Sequence, residues 1–190
     1  MIGSMVAAHQ TKITKKPHFT GLADSEPPDV LVFRFEKKKI KNKEFTGTRV
    51  IGIEITRCAL DKEETIFKQI GKKNKYANKG FSLVIDATGG KKGTVVNMNF
   101  IHQQLAKSKL VFSEVLIIGP TGSRPDGFTI PNGTFGIVKV YPTLHASYVN
   151  VSDKLSFYRK PEIIVRQYGV SFKKEGFNNM GAFGLLRPEL

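Results

Sequence analysis

The sequence predicts an α+β fold, a mostly antiparallel β-sheet or sandwich of seven or eight strands with two short helices to one side. Three observations predict it. Short apolar runs recur between glycine, proline and lysine breaks from residue 30 to residue 186. Ile51, Ile53 and Ile55 alternate with Gly52, Glu54 and Thr56, the period of a strand with one buried face. Only two segments carry helical spacing. A chain of 190 residues suits one domain with a tail. At that size a fold buries roughly 70% of its unfolded surface and needs no staples.

Residues 1–29 read as a flexible N-terminal arm, and 30–190 as a single basic β-rich domain. The arm holds Lys12, Lys15 and Lys16, then the proline-broken stretch Ser25-Glu26-Pro27-Pro28-Asp29, which favours extended, solvated backbone. Residues 30–35 are apolar with Arg34 inserted, a strand. Lys37, Lys38, Lys39, Lys41 and Lys43 then form a basic turn, and 45–60 is the next strand. Asp61 with Glu64 three residues on marks a helix start. Ile66, Phe67 and Ile70 form the stripe of that helix, and Gly71 with the following lysines ends it. Residues 81–85 read as a buried strand, 86–93 as a glycine turn and 94–98 as the returning strand. Residues 99–109 are a second short helix with Phe100, Ile101 and Leu105 inward. Strands follow at 111–118, at 134–141, at 155–157 extended by 162–168, and at 170–173 paired with 182–186. The segment 119–133, with three prolines and four glycines or more than its share of turn residues, is a long loop.

Charge is the strongest functional signal. Thirty Lys and Arg stand against sixteen Asp and Glu, a formal charge of +14. Residues 1–95 carry nineteen bases and ten acids, and 96–190 eleven and six, so the whole chain is basic. The bases are mostly lysine and come in bursts. After Lys37–Lys43 come Lys72, Lys73, Lys75 and Lys79, then Lys91 and Lys92, then Lys173 and Lys174. Lysine is a solvated point charge suited to phosphate, and a field of this sign draws polyanions. One such run is ordinarily a solvated loop that guards against sheet aggregation. Four bursts favour an anionic partner. The candidate phosphate-binding residues are Lys37, Lys38, Lys39, Lys41 and Lys43, with Lys72, Lys73, Lys75, Lys91 and Lys92.

Catalytic signatures are sparse. Asp86-Ala87-Thr88-Gly89-Gly90-Lys91-Lys92-Gly93-Thr94 invites a phosphate-loop reading, but its spacing fails, and a strand rather than a helix is expected after it. A hairpin turn is the better reading. The four histidines, His9, His18, His102 and His145, have no i, i+4 partner, so no metal site is read. Cys58 is the single cysteine. It is read as a small core residue in a reducing, intracellular setting. No enzyme, cofactor or metal is expected, and no stretch approaches the ~20 apolar residues of a membrane span. Phe33, Phe35 and Phe45 flank the lysines and are read as core.

The order of elements resembles the matrix proteins of rhabdovirus-type negative-strand RNA viruses. The likeness lies in residues 50–70, a strand running into an amphipathic helix. It continues in Lys79-Gly80-Phe81-Ser82-Leu83-Val84-Ile85 and in Tyr168-Gly169-Val170-Ser171-Phe172-Lys173-Lys174-Glu175-Gly176. The resemblance implies a small virion structural protein that polymerises through its N-terminal arm. It also implies bridging of nucleocapsid and anionic membrane, at the inner membrane surface of the host cell and in the virion. The chain departs from the family in its arm, where Pro27-Pro28-Asp29-Val30 lacks the tyrosine of a Pro-Pro-x-Tyr motif. The alternative is a single-stranded nucleic-acid-binding coat, nucleocapsid or movement-type protein.

Overall fold

A computed structural model describes residues 1–23, 28–40, 43–59, 62–75, 80–89, 96–120, 134–150 and 159–165. The elements begin with α1 (Ile2–Thr14), β1 (Phe19–Ala23), β2 (Val30–Ile40), β3 (Lys43–Arg57) and α2 (Glu63–Asn74). They continue with β4 (Ser82–Asp86), α3 (Met98–Ala106), β5 (Glu114–Pro120), β6 (Thr134–Tyr141), β7 (His145–Asn150) and β8 (Arg159–Val165). The fold is α+β and mostly antiparallel, with three helices among the described residues where two were expected. The chain divides into two compact units, residues 1–53 with 154–190, and residues 54–153.

In the first unit β2 pairs antiparallel with β1, Phe19 facing Phe33, and with β3, from Val30↔Ile53 to Ile40↔Lys43. Strand β8 joins β1 in parallel. Helix α1 is the largest departure from expectation, because it and β1 stand where a flexible arm was read. Residues 3–9 are buried without a break, with Met5, Val6 and Ala7 fully so. A helix covered on every side shows no amphipathic stripe, so its sequence reads as structureless. It ends at Lys15, which takes the left-handed conformation (φ 57°) and donates its N–H to the Thr11 carbonyl at 2.9 Å. The Thr11 hydroxyl then accepts the His18 N–H at 2.9 Å and fixes the turn into β1. Gly3 makes the close approach possible: a Cβ there would stand 2.7 Å from Val30 Cγ1 and 3.1 Å from Thr20 Cγ2. Thr20 pairs with Val32, so α1 lies on the sheet face that carries Val30 and Val32.

In the second unit β4 and β5 are parallel, from Ser82↔Glu114 to Asp86↔Ile118. Strands β5, β6 and β7 are antiparallel in sequence order. The parallel pair corrects the reading of 86–98 as a hairpin. Residues 90–95 lie outside the described residues, but Val96 and Asn97 are not strand and Met98 is helical. Leu83, Val84 and Ile85 are all fully buried, so both faces of β4 are covered. Such a strand needs a crossover rather than a tight turn, and α3 supplies it. The Asn97 side chain starts α3 by accepting the Phe100 N–H at 3.0 Å. Ile101 and Leu105 face inward as expected, whereas Phe100 is 42% exposed. Strand β6 lies where the sequence put it. The polar β7 had no apolar alternation to announce it, since only Val149 along it is buried. Both faces of β3 are covered at its end: Ile53 is buried, and so are Gly52 and Glu54 on the opposite side. The strands expected at 155–157, 170–173 and 182–186 lie outside the described residues.

Two predictions follow from this packing. Gly3→Val drives a branched side chain into Val30 and is expected to cost about 1–3 kcal/mol, measured by urea unfolding. An unchanged midpoint would show that α1 lifts away freely. The second concerns Glu114. Burial pushes its carboxyl above the usual carboxylate range, offset in part by the Ser82 hydroxyl donating at 2.8 Å and by the Lys139 charge. The folded state therefore binds its proton more tightly than the unfolded chain. Stability from this group is present at low pH and is lost as pH rises from the unfolded pKa through the raised folded one. Melts of Glu114→Gln across that interval are expected to hold their stability better than the parent's, and equal slopes would count against the assignment.

Candidate anion-binding surface

The described lysines of the first burst lie on strands and not in a loop. The β2–β3 ladder runs unbroken to Ile40↔Lys43, so Lys37, Lys38 and Lys39 are strand residues and Lys43 opens β3. Lys41 lies outside the described residues. The extended backbone satisfies its own hydrogen bonds along the hairpin and leaves the side chains of Lys37 and Lys39 in water. Alternation places Phe35, Lys37 and Lys39 on one face. Lys37 sits 3.1 Å from Glu44, but the two side chains are 76% and 60% exposed, so the pair is worth little and does not hold the lysine back.

Phe35 changes the character of this face. Phe19, Phe33 and Phe35 form a ring cluster, with centroids 5.8 to 6.2 Å apart. Phe33 is fully buried as expected, but Phe35 is 44% exposed and is not core. An aromatic cluster thus emerges from the body and continues along the same strand face into two cations. The sequence offered only strand alternation here, which cannot tell a buried aromatic from one past the edge of the covering layer.

On the opposite face the structure assembles a cluster that the sequence did not announce. Arg34 faces Arg49 directly across β2 and β3, an arrangement that repels unless an acid intervenes. Glu36 is that acid. Its Oε1 accepts from Arg34 Nε at 2.7 Å and also from the Arg34 terminal nitrogen. Partial burial works to raise the Glu36 carboxyl, but the Arg34 hydrogen bond and the charges of Arg34, Arg49 and Lys16 outweigh it and hold it below the ordinary value. Burial, assisted by Arg34 and Arg49, pushes the His18 imidazole down. The one signal in the sequence was Arg34 inside an apolar run.

The second lysine burst divides by role. Helix α2 does not stop at Gly71. It continues through Lys72 and Lys73 to Asn74, whose amide donates to the Lys109 carbonyl at 3.3 Å and accepts the Val111 N–H at 2.8 Å. Its N-cap is Lys62, without a side-chain cap, and Asp61 lies outside the described residues. Glu63 instead accepts the Asn97 N–H at 2.9 Å, and this bond, with one from its own backbone, holds its carboxyl below the usual range. Lys72 and Lys75 are exposed. Lys73 turns inward and donates to Glu54 at 3.0 Å, where the Glu54 side chain is only 9% exposed. Lys73 therefore belongs to the fold and not to the anion-binding surface. Lys79, Lys91 and Lys92 lie outside the described residues.

The glycine segment after β4 begins with Asp86, whose Oδ1 accepts from the Thr88 N–H and hydroxyl at 3.0 and 2.6 Å. Arg57 Nε stands 3.7 Å from Asp86 Oδ2. Cys58 is buried and donates its N–H to the Asp86 carbonyl at 3.0 Å. Among the described residues no helix is long and apolar enough to cross a membrane.

Compared with known proteins, the chain matches no family model, no curated protein and no solved structure.

The lysines of α2 are separable by experiment. Lys73→Met leaves Glu54 buried without its cation and is expected to cost about 2 kcal/mol, below the full value for a buried pair because Lys73 itself is partly solvated. Lys72→Met and Lys75→Met are expected to leave the urea midpoint within about 0.5 kcal/mol. Equal effects at all three positions would remove the distinction.

Proposed function

We propose that this chain is a non-catalytic structural protein of the matrix type. In this reading it docks on phosphate-bearing surfaces, bridges a nucleocapsid to an anionic membrane, and acts as many copies together. One observation carries the reading: the exposed Phe35 shares a strand face with the exposed Lys37 and Lys39. A cation pair flanked by a half-buried aromatic suits an interface of headgroups over hydrocarbon, where lysine stays with phosphate and the ring enters the apolar layer.

Magnitudes favour collective action. Each lysine near an anionic surface contributes about 1 kcal/mol. Burying the exposed part of Phe35 adds about 1 kcal/mol. About 3 kcal/mol for one hairpin is roughly two decades in an equilibrium constant, too weak for a lone chain and sufficient for an array. The N-terminal segment is not carried forward as the subunit contact, because residues 3–9 are buried.

Flotation with phosphatidylcholine vesicles, with and without phosphatidylserine, tests the reading. Flotation is expected only with the anionic lipid, and is expected to fall at least tenfold for Lys37→Glu with Lys39→Glu and severalfold for Phe35→Ser. Undiminished flotation of the charge-reversed chain would sink the role of the hairpin. Salt-dependent RNA binding without flotation would move the conclusion to a single-stranded nucleic-acid-binding protein, with Phe35 as a stacking platform.

A further inference from the structure

We propose that the furrow between α2 and α3 is a docking groove for an acidic amphipathic segment of a different protein. The two helices run side by side in the same direction. Glu63 meets Asn97 at their N-terminal ends, Phe67 meets Phe100 edge-on at 6.1 Å, and Asn74 meets Lys109 and Val111 at the other end. Between them lies an open groove of about 570 Å³, within the range of sites that hold apolar ligand groups.

Helical spacing sorts α2 into three stripes. Ile66 and Ile70 are buried beneath it. Phe67, Gly71 and Asn74 line the groove. Lys68, Lys72 and Lys75, one position further round, are all exposed and form its outer rim. Facing them, Phe100 and Gln104 line the groove from α3, and Lys109 closes its far end. The walls are thus aromatic and the rim cationic.

Gly71 is the second observation. A glycine inside a helix costs about 1 kcal/mol relative to alanine. Nothing lies within 4 Å of the place its Cβ would take, and it is not among the positive-φ glycines of the described residues. Neither packing nor backbone conformation within the chain asks for glycine there. What its missing side chain does is keep the groove open in the middle of the α2 wall.

Charge selects the occupant. A second copy carries the same +14 and meets a lysine rim with repulsion. A membrane presents a flat surface and leaves a concave furrow unfilled. An amphipathic helix places apolar anchors at i, i+3 or i+4 and i+7 into such a groove, and acidic residues on its flanks meet Lys68, Lys72, Lys75 and Lys109. Glu64, also on the groove, sets a direction, with the acidic end of the ligand toward Lys109.

The test selects a phage-displayed library of random 16-residue peptides on the full-length chain, with counter-selection on Gly71→Leu. That variant places its side chain in open space and is expected to melt no lower than the parent, which separates a filled groove from a broken fold. The selected peptides are expected to be net acidic with apolar residues at helical spacing. The best of them, synthesised, is expected to bind at least tenfold more weakly to Gly71→Leu and to Lys72→Glu with Lys75→Glu, and equally well to Lys37→Glu with Lys39→Glu. The last comparison keeps this result independent of the hairpin and its membrane role. No enrichment, enrichment of neutral or basic peptides, or equal binding to Gly71→Leu each overturns the proposal. So does loss of phosphatidylserine-vesicle flotation in Phe100→Ser, which would give this face to the membrane.

Discussion

The parallel pairing of β4 with β5 is the constraint on which the second unit depends. Neighbouring parallel strands cannot be joined by a tight turn, so a crossover must leave the sheet and return. Helix α3 is that crossover, started by the Asn97 side chain and seated through Ile101 and Leu105. The pairing also demands cover on both faces, which accounts for the unbroken burial of Leu83, Val84 and Ile85 against Val115, Leu116, Ile117 and Ile118. Helix α2 lies beside α3. Their N-terminal and C-terminal contacts hold the two in parallel, and the furrow between them is a consequence of that spacing. The Glu114 carboxyl is raised for a related reason, since the strand that seats four buried aliphatic residues also draws its partly buried first residue away from water.

The basic residues do not act as one class. Lys73 completes a partly buried ion pair with Glu54, and the buried Arg34 is bound by Glu36, whereas Arg49 across the ladder is exposed. Lys73 and Arg34 are committed to the fold, and removing them costs stability before it touches any interface. Lys39, Lys72 and Lys75 are exposed, and Lys37 is held only by a solvated pair. Net charge alone assigns all of them to a partner. Among the described residues, burial and pairing divide them.

How much of this was legible in the sequence depends on what each signal measures. The class, strand β6 and the apolar stripe of α2 were readable because alternation and helical spacing report a half-buried element directly. Helix α1 was not, because seven successive buried residues leave no contrast between faces. Strand β7 was not, because an edge strand with one buried residue has almost no apolar content to alternate. The segment after β4 was misread through a wrong assumption about direction: glycines after a buried strand suit a hairpin and a crossover equally, and the parallel pairing of β4 with β5 decides between them. The site followed the same rule. Clusters contiguous in sequence, such as Lys37–Lys39, were seen, while Arg34, Glu36 and Arg49 come together only through the pairing of β2 with β3, and Lys16 and His18 join them from the turn between α1 and β1.

The face of the hairpin can be weighed against its simplest alternative, in which lysines merely keep an extended ribbon from joining its neighbours. Lysine on a strand does serve that end. A guard of that kind gains nothing from an aromatic side chain, and an exposed phenylalanine works against it by adding apolar surface where association must be prevented. Phe35 could retreat only if its strand position were covered, yet Lys37 and Lys39 follow it outward on the same face. The arrangement keeps an apolar group at the surface and surrounds it with charges that repel another copy of the chain. That combination discourages self-contact through the ribbon while leaving it attractive to a surface that is both anionic and apolar beneath. Under the proposed matrix-type role, the weakness of a single hairpin would make attachment depend on how many copies are gathered at once.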